Sequence, residues 1–232
     1  MTTRIGVITF PGSLDDRDAQ RAVRIAGAEP VALWHGSHDL EGVDALVLPG
    51  GFSYGDYLRC GAIAALAPIM ADVKRHADNG GLVLGVCNGF QILCEAQLLP
   101  GALLRNESLR FIHAEVHLRV ERTDLPFTRA MKAGEVFRVP MAHAEGNFTL
   151  EPADLTDLEA RGGVALRYCS AQGEIGPDHV PNGAMNGIAG IVNLKGNVLG
   201  MMPHPERAVD PTLGPTGGLG MFRSLEAAFS KA

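Results

Sequence analysis

The sequence predicts an α/β fold with a mostly parallel central sheet, flanking helices and a smaller antiparallel sheet. Three observations carry this. Short apolar runs alternate with helix-period segments through the first half of the chain. Two of those runs, Ala45–Leu48 and Leu82–Val86, have no polar side chain, the pattern of strands covered on both faces. The second half changes to period-two alternation and a hairpin. The 232 residues are 46% hydrophobic and 20% charged, a globular composition with chain enough for a sizeable core. No internal repeat and no linker composition interrupts them, so residues 1–232 read as a single domain.

Each element has its own signal. Arg4–Thr9 reads as a buried strand. Asp16 to Ala26 reads as a helix, because Ala19, Ala22, Val23 and Ala26 recur at helical spacing and Gly27 stops it. Glu29–Trp34 and Ala45–Leu48 are strands, the second ending at Pro49-Gly50-Gly51. A helix is expected from Gly61 to Ala77, closed by Asn79-Gly80-Gly81. Leu82–Val86 then reads as a strand and Asn88 to Ala96 as a helix. Val116, Leu118 and Val120 alternate with Glu115, His117 and Arg119, so Ala114 to Glu121 is a half-exposed strand. Thr156-x-x-Glu159 has the form of a capping box that would start a helix. Ile188–Leu194 and Val198–Met202 flank Lys195-Gly196-Asn197 as a hairpin, and Gly220 to Ala228 forms a last helix.

Charge and composition exclude several function classes. Lys and Arg number 20 against 26 Asp and Glu, a net charge of −6. That balance argues against broad nucleic-acid binding and against an anionic membrane surface. The longest mostly apolar stretch, Gly61 to Ala71, contains Pro68 and falls short of the ~20 residues a bilayer span needs. Met1-Thr2-Thr3-Arg4 leads straight into the first strand without an apolar signal region, so a cytoplasmic location is expected. Cys60, Cys87, Cys94 and Cys169 contain no CxxC pair and resemble no disulfide framework. No spacing resembles a zinc site, so no metal is assigned.

One cysteine stands apart. Leu84-Gly85-Val86-Cys87-Asn88-Gly89 runs from a buried strand directly into a helix, with glycines two residues before and after the thiol. G-x-C-x-G is the spacing of a nucleophile elbow, where a tight strained turn leaves no room for neighbouring side chains. The helix that follows aims free N–H groups at the sulfur, which favours the thiolate and can hold an oxyanion. Cys60, Cys94 and Cys169 lack this context and read as packed residues. A thiolate needs a base, and His204 is the best placed of the eight histidines. The strand Val198–Met202 runs into Pro203-His204-Pro205-Glu206, and residues two apart in extended chain face one way. Cys87, His204 and Glu206 thus match nucleophile, base and orienter. His35, His38, His76 and His179 lie in turn- or charge-rich stretches and read as surface residues. Gly50, Gly51 and Phe52 end a parallel strand, where backbone N–H groups can approach a ligand; there they would pair with the Asn88 N–H as oxyanion donors.

The elbow, the Gly-Gly loop and the late His-x-Glu, in this order, resemble the class I (triad) glutamine amidotransferases, which have a flavodoxin-like fold. Gly50 to Ala62, Gly85 to Gln91, Leu104 to Ser108 and Pro203 to Arg207 more closely resemble the amidotransferases of phosphoribosylformylglycinamidine synthase. The likeness covers essentially the whole chain. It implies that Cys87 attacks the side-chain amide of L-glutamine, that His204 protonates the leaving ammonia, and that Glu206 orients His204. Gln91 matches a residue that contacts glutamine, and the backbone of Ala142, His143 and Ala144 matches a segment that holds its α-groups. Glycine is expected where this chain has Ala144. Asn106 matches a position near the substrate or facing the partner. The resemblance further implies ammonia transfer to a synthetase subunit that binds ATP and Mg2+ and converts formylglycinamide ribonucleotide to its amidine. It also implies a small third subunit, and no cofactor in this chain. Consistent with this, the chain contains no G-x-x-x-x-G-K-[ST] loop, and the Gly-rich stretch Pro211 to Gly220 reads either as a docking loop or as a mobile connection. Two other readings stand beside this one. One is a triad amidotransferase with a different acceptor. The other is a flavodoxin-like redox or chaperone protein, which would not need His204 and Glu206.

Overall fold

A computed structural model describes residues 2–229. One nine-stranded sheet runs through it, with a two-stranded sheet beside it. The first strands are β1 (Arg4–Thr9), β2 (Glu29–Trp34), β3 (Ala45–Leu48) and β4 (Leu82–Val86). β5 (Ala102–Leu104), β6 (Ile112–Val120), β7 (Val136–His143), β8 (Asn147–Thr149) and β9 (Val164–Cys169) follow. The hairpin is β10 (Ile188–Val192) and β11 (Val198–Met201). The large sheet has the order β2-β1-β3-β4-β11-β10-β9-β6-β7, and β5 pairs with β8 in the small one. Pairing is parallel from β2 to β11 and antiparallel from there to β7. The α/β class, the parallel strands and the small antiparallel sheet are those expected; the antiparallel strands of the second half also extend the main sheet.

Five α-helices are found among the described residues: α1 (Asp16–Ile25), α2 (Ile69–Asp78), α3 (Asn88–Glu95), α4 (Pro152–Ala160) and α5 (Leu219–Ala227). α1 turns Ala19, Ala22 and Val23 inward, the periodicity that predicted it. β3 and β4 are buried at every residue, as strands covered on both faces must be.

Two helix boundaries differ from expectation. The helix expected from Gly61 begins only at Ile69, after a short 3₁₀ turn at Ala64–Leu66. Pro68 is the reason: its ring disfavours helical backbone at the preceding residue, and Ala67 is extended at φ −62°, ψ 148°. Thr156 does not start a helix. It lies inside α4, and its hydroxyl donates to the Pro152 carbonyl at 2.9 Å; Pro152 opens the helix instead.

β7 carries Pro140 in its middle, which argues against a strand. It forms because β7 is the edge of the sheet, where a missing N–H costs no ladder bond. The same holds for Pro30 in β2 at the opposite edge. Three of the histidines read as surface residues are half-buried instead: His35, which accepts or donates at 2.7 Å to the Tyr54 hydroxyl, His76 and His179. The Pro211–Gly220 stretch is pinned at its end, where the Gly218 amide donates to Ala208 O at 2.9 Å.

Candidate active site

The carboxyl ends of β3, β4 and β11 lie side by side and deliver the predicted residues to one place. Cys87 follows β4, Gly50 and Gly51 follow β3, and His204 follows β11. Cys87 sits at φ 51°, ψ −108°, a costly backbone for a residue with a side chain. It is held there from both sides. Its amide donates to Met201 O at 2.8 Å, and α3 begins at the next residue. The flanking glycines allow the turn to close. A Cβ on Gly89 would run into the Leu48 carbonyl oxygen, and one on Gly85 would lie 2.5 Å from Leu93 Cδ1 and 2.7 Å from Gly89 O. Close packing therefore requires glycine at both positions.

His204 is buried in the loop after β11, its amide donating to Pro140 O at 2.8 Å. Its Nδ1 meets Glu206 Oε1 at 2.6 Å, and Glu206 is also buried. The pair therefore forms across a 3₁₀ turn, Pro205–Arg207. Its Nε2 makes no full hydrogen bond, but Cys87 approaches His204 closely enough to act on its charge. Burial opposes the imidazolium. The Glu206 carboxylate and the Cys87 sulfur outweigh burial and hold the His204 pKa well above its ordinary value. The Cys87 Sγ also lies 3.7 Å from Ala142 O.

Asp15 is a member of this cluster that the sequence reading passed over. It is 2% exposed, its Oδ2 lies 3.6 Å from His204 Nδ1, and its Oδ1 accepts from Arg207. The only sequence signal is position: it follows β1 at the same strand-end edge. Asp15, His204 and Glu206 have the donor types of a metal site and lie within 4.8 Å of one another. His204 Nδ1, Glu206 Oε1 and the Asp15 oxygens face one another or Arg207, while His204 Nε2 and Glu206 Oε2 have no hydrogen-bond partner. Gly50 must be glycine here, since a Cβ would strike Asp15 Oδ2 and come to 2.8 Å of His204 Cε1.

The amides of Gly51 and Asn88 donate to no backbone carbonyl among the described residues. The Phe52 amide differs: it donates to Gly12 O at 2.9 Å, so it is not a free donor. The Phe52 side chain is 43% exposed and lines the site. Two small cavities meet at Cys87. One, of about 140 Å³, lies toward His204 and Phe111; the other, of about 200 Å³, lies toward Gln91 and Glu145. Gln91 is fixed in the second wall, donating to Glu145 O at 2.6 Å and accepting from Asn88 Nδ2 at 2.9 Å.

Ala142, His143 and Ala144 line the second cavity. Ala144 is not among the residues with positive φ, so alanine meets no backbone strain where glycine was expected. Asn106 does not face outward. It is fully buried and clips this segment: Nδ2 donates to His143 O at 2.8 Å and Arg110 O at 2.9 Å, while Oδ1 accepts from the Gly146 amide at 3.1 Å. It positions the wall of the cavity from behind. His143 Nδ1 lies 3.1 Å from the same Oδ1, which makes Nδ1 the protonated nitrogen. Burial and the charge of His204 push the His143 pKa down to about 3, so its ring is neutral.

The other cysteines are free thiols; Cys60 lines the second cavity with Cys87, while Cys94 and Cys169 line neither cavity at Cys87. Burial pushes the pKa of Cys94, Cys169 and Cys60 up, and the Asp56 and Glu145 carboxylates add to that at Cys60. Among the described residues no helix is long and apolar enough to cross a membrane.

Residues 2–218 match the CobB/CobQ-like glutamine amidotransferase domain. The chain is 58% identical over 228 residues to the phosphoribosylformylglycinamidine synthase subunit PurQ of Nitrobacter winogradskyi, covering 97% of this chain and 98% of that one. It is 57% identical to the subunit of the same name from Nitrobacter hamburgensis, with the same coverage. Among solved structures, it is similar to a chain of PurLQS from Thermotoga maritima, with a TM-score of 0.88, 42% identity, and 99% and 100% of the two chains covered. The chain belongs to the CobB/CobQ-like glutamine amidotransferase family.

Proposed function

We propose that this chain is the glutaminase subunit of phosphoribosylformylglycinamidine synthase. The observation that carries the chemistry is the buried His204–Glu206 pair, at 2.6 Å, facing a cysteine on a strained strand-to-helix turn. The likeness to the PurQ subunits, over nearly the whole length of each, carries the choice of acceptor.

In this reading Cys87 is the nucleophile. Its thiolate attacks the side-chain amide carbon of glutamine. The amides of Asn88 and Gly51 hold the developing oxyanion, helped by the positive end of α3. His204, kept protonated by Glu206 and Cys87, gives its proton to the leaving amide nitrogen. A glutamyl thioester and ammonia result. His204 Nε2, now neutral, takes a proton from water, which attacks the thioester and releases glutamate and the thiol. Asp15 and Arg207 brace His204 from the side away from Cys87. Gln91 and the Ala142–Ala144 backbone position the substrate. Gly50 leaves room for His204.

Ammonia passes to a synthetase subunit, which binds ATP and Mg2+ and converts formylglycinamide ribonucleotide to the amidine. A small third subunit completes the assembly, and the process is cytoplasmic. The alternative of a redox or chaperone protein leaves the buried His204–Glu206 pair without a purpose.

Mass spectrometry after exposure to 6-diazo-5-oxonorleucine, a glutamine-like electrophile, tests this with the synthetase subunit present. A single adduct on Cys87, suppressed by excess glutamine, is the expected result. No adduct on Cys87 in the assembled enzyme refutes the assignment.

A further inference from the structure

We propose that Asp15 and Arg207 are positioning residues for the base His204, a pair of opposite charges that walls its ring and is electrically balanced toward it only while both partners are present. This rests on the glutaminase reading and deepens it: beyond Glu206, a second carboxylate and a cation set the base.

Asp15 gives up a local role to be there. It is the N-cap of α1, where an aspartate ordinarily accepts from the free amides of the first turn, yet its side chain makes no capping bond. Its buried carboxylate stands instead in the wall of the cavity that Cys87 and His204 share. Two contacts fix it. The Asp15 amide donates to Gly50 O at 3.2 Å, and Oδ2 lies so close to Gly50 that only a glycine fits. The same Gly50 abuts the His204 ring at Cε1. Gly50 and Asp15 therefore wall the ring, and Glu206 holds it at Nδ1.

Distance divides the work between the two carboxylates. Glu206 Oε1, at 2.6 Å, takes the Nδ1 hydrogen; Asp15 Oδ2, at 3.6 Å from the same nitrogen, lies outside hydrogen-bond reach and acts through its charge. Two buried carboxylates beside one imidazole are costly unless a cation answers the second. Arg207 is that cation. It is half-buried in the same cavity wall and donates to Asp15 Oδ1, and its Nε lies 3.6 Å from Asp18 Oδ2. Burial opposes the Arg207 charge, and Asp15 is the foremost of the carboxylates that sustain it. Asp15 and Arg207 thus cancel at the ring, which leaves Glu206 and Cys87 to outweigh burial at His204. His143, which also faces His204, is neutral and takes no part in this balance. Removing one member of the pair leaves the charge of the other facing the imidazolium, so the two removals act in opposite directions.

The test is the pH dependence of kcat/KM for glutamine hydrolysis with the synthetase subunit present, in the unaltered enzyme, Asp15→Asn, Arg207→Gln and the double variant. Each profile is scaled to its own plateau, and its alkaline limb reports loss of the His204 proton. Asp15→Asn leaves the Arg207 cation uncancelled, which disfavours the imidazolium, and its limb should move down by about one pH unit. Arg207→Gln leaves the Asp15 carboxylate uncancelled, and its limb should move up. On the limb, one unit is about a tenfold change in relative rate. The double variant should return to the limb of the unaltered enzyme. Tm of Asp15→Asn should hold, since asparagine caps a helix as well as aspartate does. A merely structural defect does not produce shifts of opposite sign that cancel. Limbs that stay in place, or that move the same way in both single variants, overturn the proposal and leave the glutaminase reading intact. No hydrolysis by the unaltered assembled enzyme overturns both. If Asp15→Asn melts early, Arg207→Gln alone decides: an upward move supports the pair, and a fixed limb overturns it.

Discussion

Acid should destabilise this protein through one buried imidazole, and the size of the effect can be worked out. Burial, and then the charge of His204, hold the His143 pKa down to about 3 in the folded chain, against an ordinary 6.5. Between those values the unfolded chain takes up a proton that the folded chain refuses. The contribution of neutral His143 is therefore full above the unfolded value and is lost as pH falls below it. The slope is about 1.4 kcal/mol per pH unit. Going from about pH 6.5, where the unfolded imidazole is half protonated, to 4.5 thus costs roughly 2.3 kcal/mol, or roughly 5–9 °C in Tm for a chain of this size. His204 adds nothing in this window. Its folded pKa is raised, so it is protonated in both states below its unfolded value. The assay is urea unfolding at intervals across that range, for the unaltered protein and His143→Gln. The substitution lowers stability overall, since Asn106 Oδ1 loses a partner. The readout is the difference in slope, in which carboxylates common to both proteins cancel. The unaltered protein should fall more steeply by about 1.4 kcal/mol per unit. Parallel lines would refute the buried-neutral assignment.

The remaining predictions concern the elbow and its base. Cys87→Ala should abolish glutamine hydrolysis yet leave amidine synthesis from added ammonia in the assembled enzyme; residual hydrolysis would move the nucleophile elsewhere. His204→Ala should cost as much as Cys87→Ala in kcat, because members of such a group act as a unit. Glu206→Gln should cost less, roughly 10- to 100-fold, since a neutral amide replaces a charged hydrogen bond. Stability from the raised His204 pKa is full below about pH 6.5 and is lost as pH rises through the folded value. Glu206→Gln should flatten that alkaline decline, which the same urea series reads. Gly89→Ala drives a Cβ into the Leu48 carbonyl and should cost about 1–3 kcal/mol or more; a loss below about 0.5 kcal/mol would mean that α3 packs less closely on β3 than described.

The two halves of the chain were legible to different degrees. In the first, β3 and β4 were readable because burial on both faces leaves a continuous apolar run. In the second, β7 was hidden by Pro140, because a sequence does not say which strand is an edge. β5 and β8 have three residues each, too few for a period to show. Thr156 misled because Ser and Thr bond backward inside helices as well as capping them.

The sequence by itself determined the elbow, because strand, glycine, cysteine, glycine and helix are contiguous, and steric demands between near neighbours are written locally. It likewise placed His204 two residues from Glu206. Only the tertiary structure decided what surrounds them. Asp15 lies 189 residues before His204 and meets it because β1 and β11 end at the same edge of one sheet. Asn106 was expected near substrate or partner, and it became a buried clip because it precedes β6, whose pairing with β7 brings the end of β7 at His143 alongside it. Asp56 and Glu145 face one cavity only once two separate segments, the turn after β3 and the end of β7, converge. Spacing specifies contacts made within a turn or two of chain; charge balance, burial and the pKa shifts they cause depend on which distant segments the sheet brings together.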